Sequence, residues 1–202
     1  MPRDSRLEKA LTAFGEVGTE EIVRVFGYDS SVSTTRVTVE VFRRFGFRAV
    51  PLMVRAYVLD ARFWRTLNTG ASSGWSWSGV KNQLAKKGGS AVVVGGDGIS
   101  ATVAGHLVTL LNGSVLLDPW VRQAEWPDGG IHLPDAVAIR GISNPFLEGR
   151  SPAGGVLPSG SSIVYVRVLE PTPFQHLPAW NHRSGWRPLV RTIEKRMRRL
   201  LS

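Results

Sequence analysis

The chain has 202 residues, 43% of them hydrophobic, which is enough to bury one substantial core. It contains no cysteine, which excludes disulfides, thiolate metal sites and a thiol nucleophile in this sequence. The formal net charge of +9 at pH 7 favours contact with phosphates or acidic surfaces. No apolar run approaches the roughly 18 residues that cross a bilayer, and the N-terminus lacks the apolar centre of a signal peptide. We therefore expect one cytoplasmic globular unit without a transmembrane segment.

The first part of the chain has helical patterns. Residues 4–28 are typical of two short helices, with Thr19 in the position of a cap for the second. The stretch 29–49, "DSSVSTTRVTVEVFRRFGFRA", places a cluster of hydroxyl side chains before an amphipathic helix that stops at Gly46. Because its β-branched residues have low helix propensity, we expect burial to stabilise this helix.

The middle of the chain has the pattern of antiparallel strands. The predicted strands are 49–60, 90–96, the two halves of 105–120, and 162–170. The dipeptide Asn112-Gly113 separates the two halves and is the strongest short signal for a hairpin. Residues 63–89 have no clear period, which is compatible with a substrate loop or an irregular surface segment.

The end of the chain is a Pro- and Trp-rich connector, residues 171–188, followed by a helix over 189–201 with one apolar side and basic groups elsewhere. Helices followed by an antiparallel sheet predict an α+β fold, with N-terminal helices packed on the sheet. We expect residues 1–170 to form a single domain and residues 171–202 to add the connector and a basic amphipathic helix.

The positive charge is concentrated near the end. Residues 183–199 contain seven basic residues and only one acidic residue, Glu194. The expected basic binding surface consists of Arg191, Lys195, Arg196, Arg198 and Arg199. Such a surface favours nucleic acid, an acidic protein or an anionic membrane as partner, and the alternative is an ordinary solvated helix face.

The hairpin places two functional side chains at one end. His106 opens its first strand and Asp118 closes its second, so both lie away from the turn. A two-residue turn would put them on opposite faces of the sheet, because side chains alternate along a strand. A bulged turn pairs Thr109 with Leu117 instead and brings both side chains to one face. A contact between His106 and Asp118 therefore requires a bulge or a three-residue turn.

These features together resemble the transglutaminase-like branch of the papain-like cysteine peptidase fold. The shared pattern is a helix with a reactive N-terminal residue, a Gly-x-x-Ala segment, a strand that opens with His and a neighbouring strand that ends with Asp. Here the segment is Gly46 to Ala49, and the match covers approximately residues 20–120. The resemblance implies acyl transfer or hydrolysis of a peptide, amide or ester substrate, with no metal or organic cofactor.

In that family the nucleophilic Cys stands fifteen residues before the glycine, and this position is Ser31. The resemblance assigns Ser31 to attack, His106 to accept its proton and Asp118 to orient the imidazole. The backbone N–H of Ser31 would be one oxyanion donor, but "VRVFGY" before the helix has no Gln or Asn to provide a second. The separation of twelve residues between His106 and Asp118 is also shorter than is usual for the family.

Four interpretations of Ser31 are open. It is a plain N-cap, a working serine nucleophile, the remnant of a nucleophile in a catalytically silent relative that binds through its basic C-terminal helix, or an experimental replacement of Cys. A hydroxyl loses its proton far less readily than a thiol, whose pKa is about 8.5. The absence of Cys therefore favours the silent and substituted alternatives.

The remaining candidates have weaker patterns. His132, His176 and His182 have no recurrent spacing with carboxylates, so we expect no metal site. Trp120 follows Asp118 by two residues and is expected beside the cleft. Most of the seven tryptophans are expected to anchor the core or loops.

Overall fold

The computed structural model describes residues 4–26, 31–67, 77–95, 105–169, 174–181 and 183–202. Its helices are α1 (Ser5–Phe26), α2 (Ser31–Arg44), α3 (Ala61–Leu67), α4 (Trp77–Lys87), α5 (Asn144–Leu147), α6 (Pro178–Asn181) and α7 (Arg183–Leu201). Its strands are β1 (Ala49–Leu59), β2 (Ala91–Val94), β3 (His106–Leu111), β4 (Val115–Asp118), β5 (Val137–Arg140), β6 (Ala153–Val156) and β7 (Ser162–Arg167). The fold is α+β, as the order of the patterns predicted.

The seven strands form one antiparallel sheet in which six follow the order β5-β4-β3-β1-β7-β6. The long strand β1 pairs with β3 along its first half and with β2 along its second half, while β7 pairs with its opposite edge. The outermost strands β5 and β6 also contact each other. The sheet therefore curls into a nearly closed barrel with an inner and an outer face.

Each face of the sheet has its own core, because successive side chains of a strand point to opposite sides. On the inner face, Val108 and Leu110 of β3 pack in one cluster with Tyr165 of β7. On the outer face, Leu111 and Leu117 pack against apolar side chains of α1, α2 and α7. Even-numbered residues of β3 and β4 therefore face the barrel interior, and odd-numbered residues face the helices.

The first helix is continuous, so the prediction of two short helices over residues 4–28 was wrong. Thr19, which was expected to cap the second helix, lies inside α1, and its hydroxyl donates to the carbonyl of Gly15 one turn earlier. The apolar side of α1 packs against α2 and α7 along the whole length of the helix. This burial outweighs the local preference of Thr19 for a helix start.

The last helix begins at Arg183, six residues before the predicted start at residue 189. Pro188 lies inside α7 even though it has no N–H to donate to the preceding turn. Trp186 is only 5% exposed and packs in the helix-side core, which is the cluster between the outer face of the sheet and helices α1, α2 and α7. Burial therefore stabilises this early turn. The connector is correspondingly shorter than predicted.

Several elements lie where no clear pattern was found. Helix α4 and most of α3 fall within residues 63–89, of which 68–76 lie outside the described residues. Strands β5 and β6 and helix α5 fall between residues 121 and 161, a segment with no predicted element. Within the described ranges, none of the helices combines the length and the hydropathy that a bilayer crossing requires.

Candidate active site

The hairpin of β3 and β4 brings His106 and Asp118 to the same face of the sheet. Its register pairs Thr109 with Leu117 and Leu111 with Val115, which confirms the predicted register and leaves three residues in the turn. Asn112 and Gly113 adopt positive φ angles of 49° and 72°, which their residue types tolerate. The result is a contact of 2.8 Å between His106 Nε2 and Asp118 Oδ2.

Asp118 is the centre of a buried polar network on the inner face. Its Oδ2 also accepts a hydrogen bond from the hydroxyl of Tyr165 at 2.9 Å, and its Oδ1 accepts one from the backbone N–H of Trp120 at 3.0 Å. Neither Asp118 nor Tyr165 has measurable exposure, and His106 is 2% exposed. Burial, followed by the charge of Asp118 and the hydrogen bond to it, raises the pKa of Tyr165 well above its ordinary value.

The second nitrogen of the imidazole faces Gln123, in the 3₁₀ turn Val121–Ala124. The distance from Gln123 Nε2 to His106 Nδ1 is 3.4 Å. An amide NH₂ group is a donor, so the tautomer that fits this contact has Nδ1 as the acceptor and a proton on Nε2, toward Asp118. This tautomer satisfies both nitrogens of a ring that water does not reach.

Gln123 and Tyr165 are members of this network that the sequence patterns did not identify. Tyr165 lies within a predicted strand. Its hydrogen bond to Asp118 depends on the pairing of β7 with β1, which no local pattern indicates. Gln123 follows the hairpin directly. Its proximity to the hairpin end was therefore the one available signal.

Ser31 belongs to a helix that packs on the outer face of the sheet. It is the first residue of this helix, α2, and is partly exposed. The hydroxyl of Thr35, one turn later, donates to the carbonyl of Leu107 at 2.8 Å. Within the described residues, the ring nitrogens of His106 are bonded to Asp118 and Gln123 and not to Ser31. The structure thus unites two of the three predicted triad residues.

Trp120 lies in the core instead of beside a cleft. Its side chain is 2% exposed and packs in the cluster formed by α1, α2 and α7. The backbone turns after β4 and carries Trp120 to the outer face, while Asp118 remains on the inner face. Its backbone N–H donates a hydrogen bond to Asp118 and so links it to the polar network.

The predicted basic surface divides into paired and exposed side chains. Arg196 forms ion pairs with Glu20 at 3.0 Å and with Glu21 at 2.7 Å. Arg198 forms one with Glu194 at 2.9 Å. The other three predicted members, which are Arg191, Lys195 and Arg199, are exposed. The charges of Arg196 and Arg198 are thus compensated within the fold.

Comparison of the chain with models of protein families, with curated proteins and with solved structures gave no match. In the described part of the chain, no three His, Cys, Asp or Glu side chains are arranged to hold a metal ion.

Proposed function

We propose that this chain is a transglutaminase-like domain that keeps the His–Asp pair but does not catalyse acyl transfer, and that it acts by binding through its C-terminal helix. The observation that carries this proposal is the enclosed ring of His106. It is 2% exposed, and both of its nitrogens have partners other than Ser31.

A general base needs its nitrogen within about 2.6–3.2 Å of the hydroxyl that it deprotonates. The nitrogen of His106 that does not face Asp118 is occupied by Gln123. A serine hydroxyl also depends on such a base more than a thiol does, because its proton is held more tightly. Ser31 is then the first residue of α2 and has no catalytic role.

The chain order of the site supports the transglutaminase-like origin. A helix start, a strand start and a strand end follow one another at Ser31, His106 and Asp118, and α2 packs on the sheet that carries the other two. An ancestral thiol at the helix start would explain why a histidine and an aspartate still meet at the end of the hairpin.

A second candidate is a serine hydrolase or acyltransferase with Ser31 as nucleophile. The long 3.4 Å contact of Gln123 with His106 favours it, because so long a hydrogen bond is weak and a rotation of the amide would free Nδ1. In this scheme Ser31 attacks an acyl carbon, His106 takes the hydroxyl proton and returns it to the leaving group, and water then hydrolyses the acyl-enzyme ester.

A fluorophosphonate probe distinguishes the two candidates, since it forms a covalent bond only with an activated serine. We expect no labelling of the chain above the level of a Ser31→Ala variant, measured by intact-protein mass spectrometry. Labelling that disappears in both Ser31→Ala and His106→Gln would establish the hydrolase and overturn the silent domain.

A thiol placed at position 31 tests the geometry directly. We expect iodoacetamide to alkylate Ser31→Cys at the same rate, within about twofold, in the presence and absence of His106→Gln, because the ring does not reach position 31. A tenfold slower reaction of the double variant, with both variants folded by circular dichroism, would show that His106 activates this position.

A further inference from the structure

Helix α7 carries a row of cations on its solvent side, which we call the basic stripe: Arg187, Arg191, Lys195 and Arg199. All four residues are exposed, and each follows the previous one by four positions. Four residues advance about 6 Å along a helix and overshoot one turn by about 40°, so the stripe spans about 18 Å and winds about 120° around the helix.

The opposite side of α7 is used by the fold. Leu189, Val190, Ile193 and Met197 are all buried, and they pack against α1 and α2 in the helix-side core. A helix that lies in a membrane surface needs its apolar side for insertion into lipid. Here that side is occupied from Leu189 to Met197, and the large apolar residues of α7 that remain exposed are Leu200 and Leu201 at its end.

The charges of the stripe are not compensated within the described residues. The carboxylates that form ion pairs at α7 are those of Glu20, Glu21 and Glu194, and their partners are Arg24, Arg44, Arg196 and Arg198. None of the ion pairs found in the described part of the chain includes a member of the stripe. The surface available to a partner therefore includes Arg187 and leaves out Arg196 and Arg198.

The side chains between these cations indicate what kind of partner fits. Pro188, Thr192 and the ion-paired Arg198 are also exposed on this side, and none of them is an aromatic or aliphatic anchor of the kind that protein interfaces use. Three of the four cations are arginines, whose planar guanidinium groups bind phosphate oxygens in pairs. A regular row of phosphates is the complementary surface.

We propose that the basic stripe binds the phosphate backbone of duplex nucleic acid without reading its sequence. This inference rests on the proposed function, in which the chain acts by binding through α7. A duplex carries about one charge per 1.7 Å of its axis, so about ten phosphates lie along the length of the stripe. Four of them suffice to pair with its cations.

The proposal predicts a defined salt dependence. Each phosphate that is neutralised contributes about −0.9 to the slope of log K against log salt concentration. Four contacts give a slope of about −3.6, which corresponds to a loss of affinity of about 150-fold between about 50 and 200 mM salt.

Fluorescence anisotropy with a labelled duplex of about 20 base pairs measures this slope in the full chain. We expect the double variant R191Q/K195Q to reduce the slope to about −1.8, and the quadruple variant that adds R187Q and R199Q to bring it near zero. The matched control is R62Q/R65Q, which removes the same two charges from exposed positions on α3 and should leave the slope unchanged.

Two results would overturn the inference: no binding to duplex at about 50 mM salt, or binding whose slope is the same in R191Q/K195Q and in the native chain. Binding to phosphatidylglycerol vesicles without duplex binding also overturns it, but leaves a binding function of α7 in place. Failure of the proposed function is recognised separately, by fluorophosphonate labelling of Ser31.

Discussion

Asp118 accepts three hydrogen bonds at a position that solvent does not reach. The donors are the ring of His106 on β3, the hydroxyl of Tyr165 on β7 and the backbone of Trp120 beyond β4. A buried carboxylate is stable only when its oxygens are satisfied in this way. The pair that resembles a catalytic dyad therefore connects two strands of the hairpin to a third strand.

This network makes Asp118→Asn a stability variant. The amide replaces one acceptor by a donor, so at least one of the three donors loses its partner in a buried site. We expect the free energy of unfolding to fall by about 2–4 kcal/mol, as measured by urea denaturation. A variant as stable as the native chain would show that the network is solvated and open.

Tyr165 gives the network a pH dependence on the alkaline side. Burial raises its pKa in the folded state above the ordinary value of 10.0, so its contribution to stability is complete below about pH 10 and is lost as the pH rises further. Tyr165→Phe removes this dependence, and at neutral pH it costs about 1 kcal/mol for the lost hydrogen bond. Urea unfolding of both proteins from pH 8 to about pH 11 measures the effect. Parallel curves would contradict it.

The hairpin pair was predictable because all the information is local. Asn112-Gly113 fixes the turn, and the alternation of side chains then decides which residues share a face. The ring environment was not predictable, because Tyr165 reaches Asp118 through a long-range pairing of β7 with β1. The side of the sheet on which α2 packs was equally hidden in the sequence.

At the scale of elements, α7 is held on α1 and α2 by buried apolar side chains and by ion pairs at its border. Glu21 of α1 bonds Arg196 at 2.7 Å, and Glu194 of α7 bonds Arg44 of α2 at 2.7 Å. The two carboxylate side chains are only 10% and 20% exposed. These pairs therefore fix the orientation in which α7 displays its solvent side.

An arginine of α2 adds a second contact to this packing. The guanidinium of Arg36 lies 4.9 Å from the ring centroid of Trp180 on α6 and 4.5 Å from that of Trp186 on α7. Cations in such positions are attracted to the faces of aromatic rings. Trp180 and Trp186 thus serve as core anchors, in agreement with the expectation for most of the tryptophans.

The ion pairs predict how α7 docking responds to acid. Hydrogen bonds with Arg24 and Arg196 lower the pKa of Glu21, and those with Arg44 and Arg198 lower that of Glu194, from the ordinary value of 4.5. Their contribution to stability is therefore complete above about pH 4.5 and is lost as the pH falls through the folded-state values.

The variant E21Q/E194Q tests this dependence. We expect it to be less stable than the native chain by about 1–2 kcal/mol at pH 7 and equally stable at about pH 2. The matched control is Glu148→Gln, because its pair with Arg150 is exposed on both sides and contributes little. Stability is measured by urea unfolding. A stability difference between E21Q/E194Q and the native chain that is the same at acid pH as at pH 7 would contradict the stabilising role of these ion pairs.

At the scale of the whole molecule, the sheet closes almost into a barrel with helices on its outer face. The α+β class was predictable from the order of helical and strand patterns. The closure was not, because β5 and β6 are four-residue strands in a segment of weak periodicity, and they meet only after every other strand is placed. The His106 ring is buried on the inner face of this sheet, where Tyr165 of β7 also reaches Asp118, so its surroundings depend on long-range strand pairing.

Helix α7 packs in the core with one side and displays cations on the other, and this restricts which mutations it can tolerate. One extra residue within a helix rotates everything after it by about 100°. Such an insertion near Thr192 would turn Met197 outward and point a neighbouring cation inward. The packing of the core and the arrangement of the exposed cations would then be lost together. Along this segment the chain can tolerate exchange of one amino acid for another, but its length is fixed.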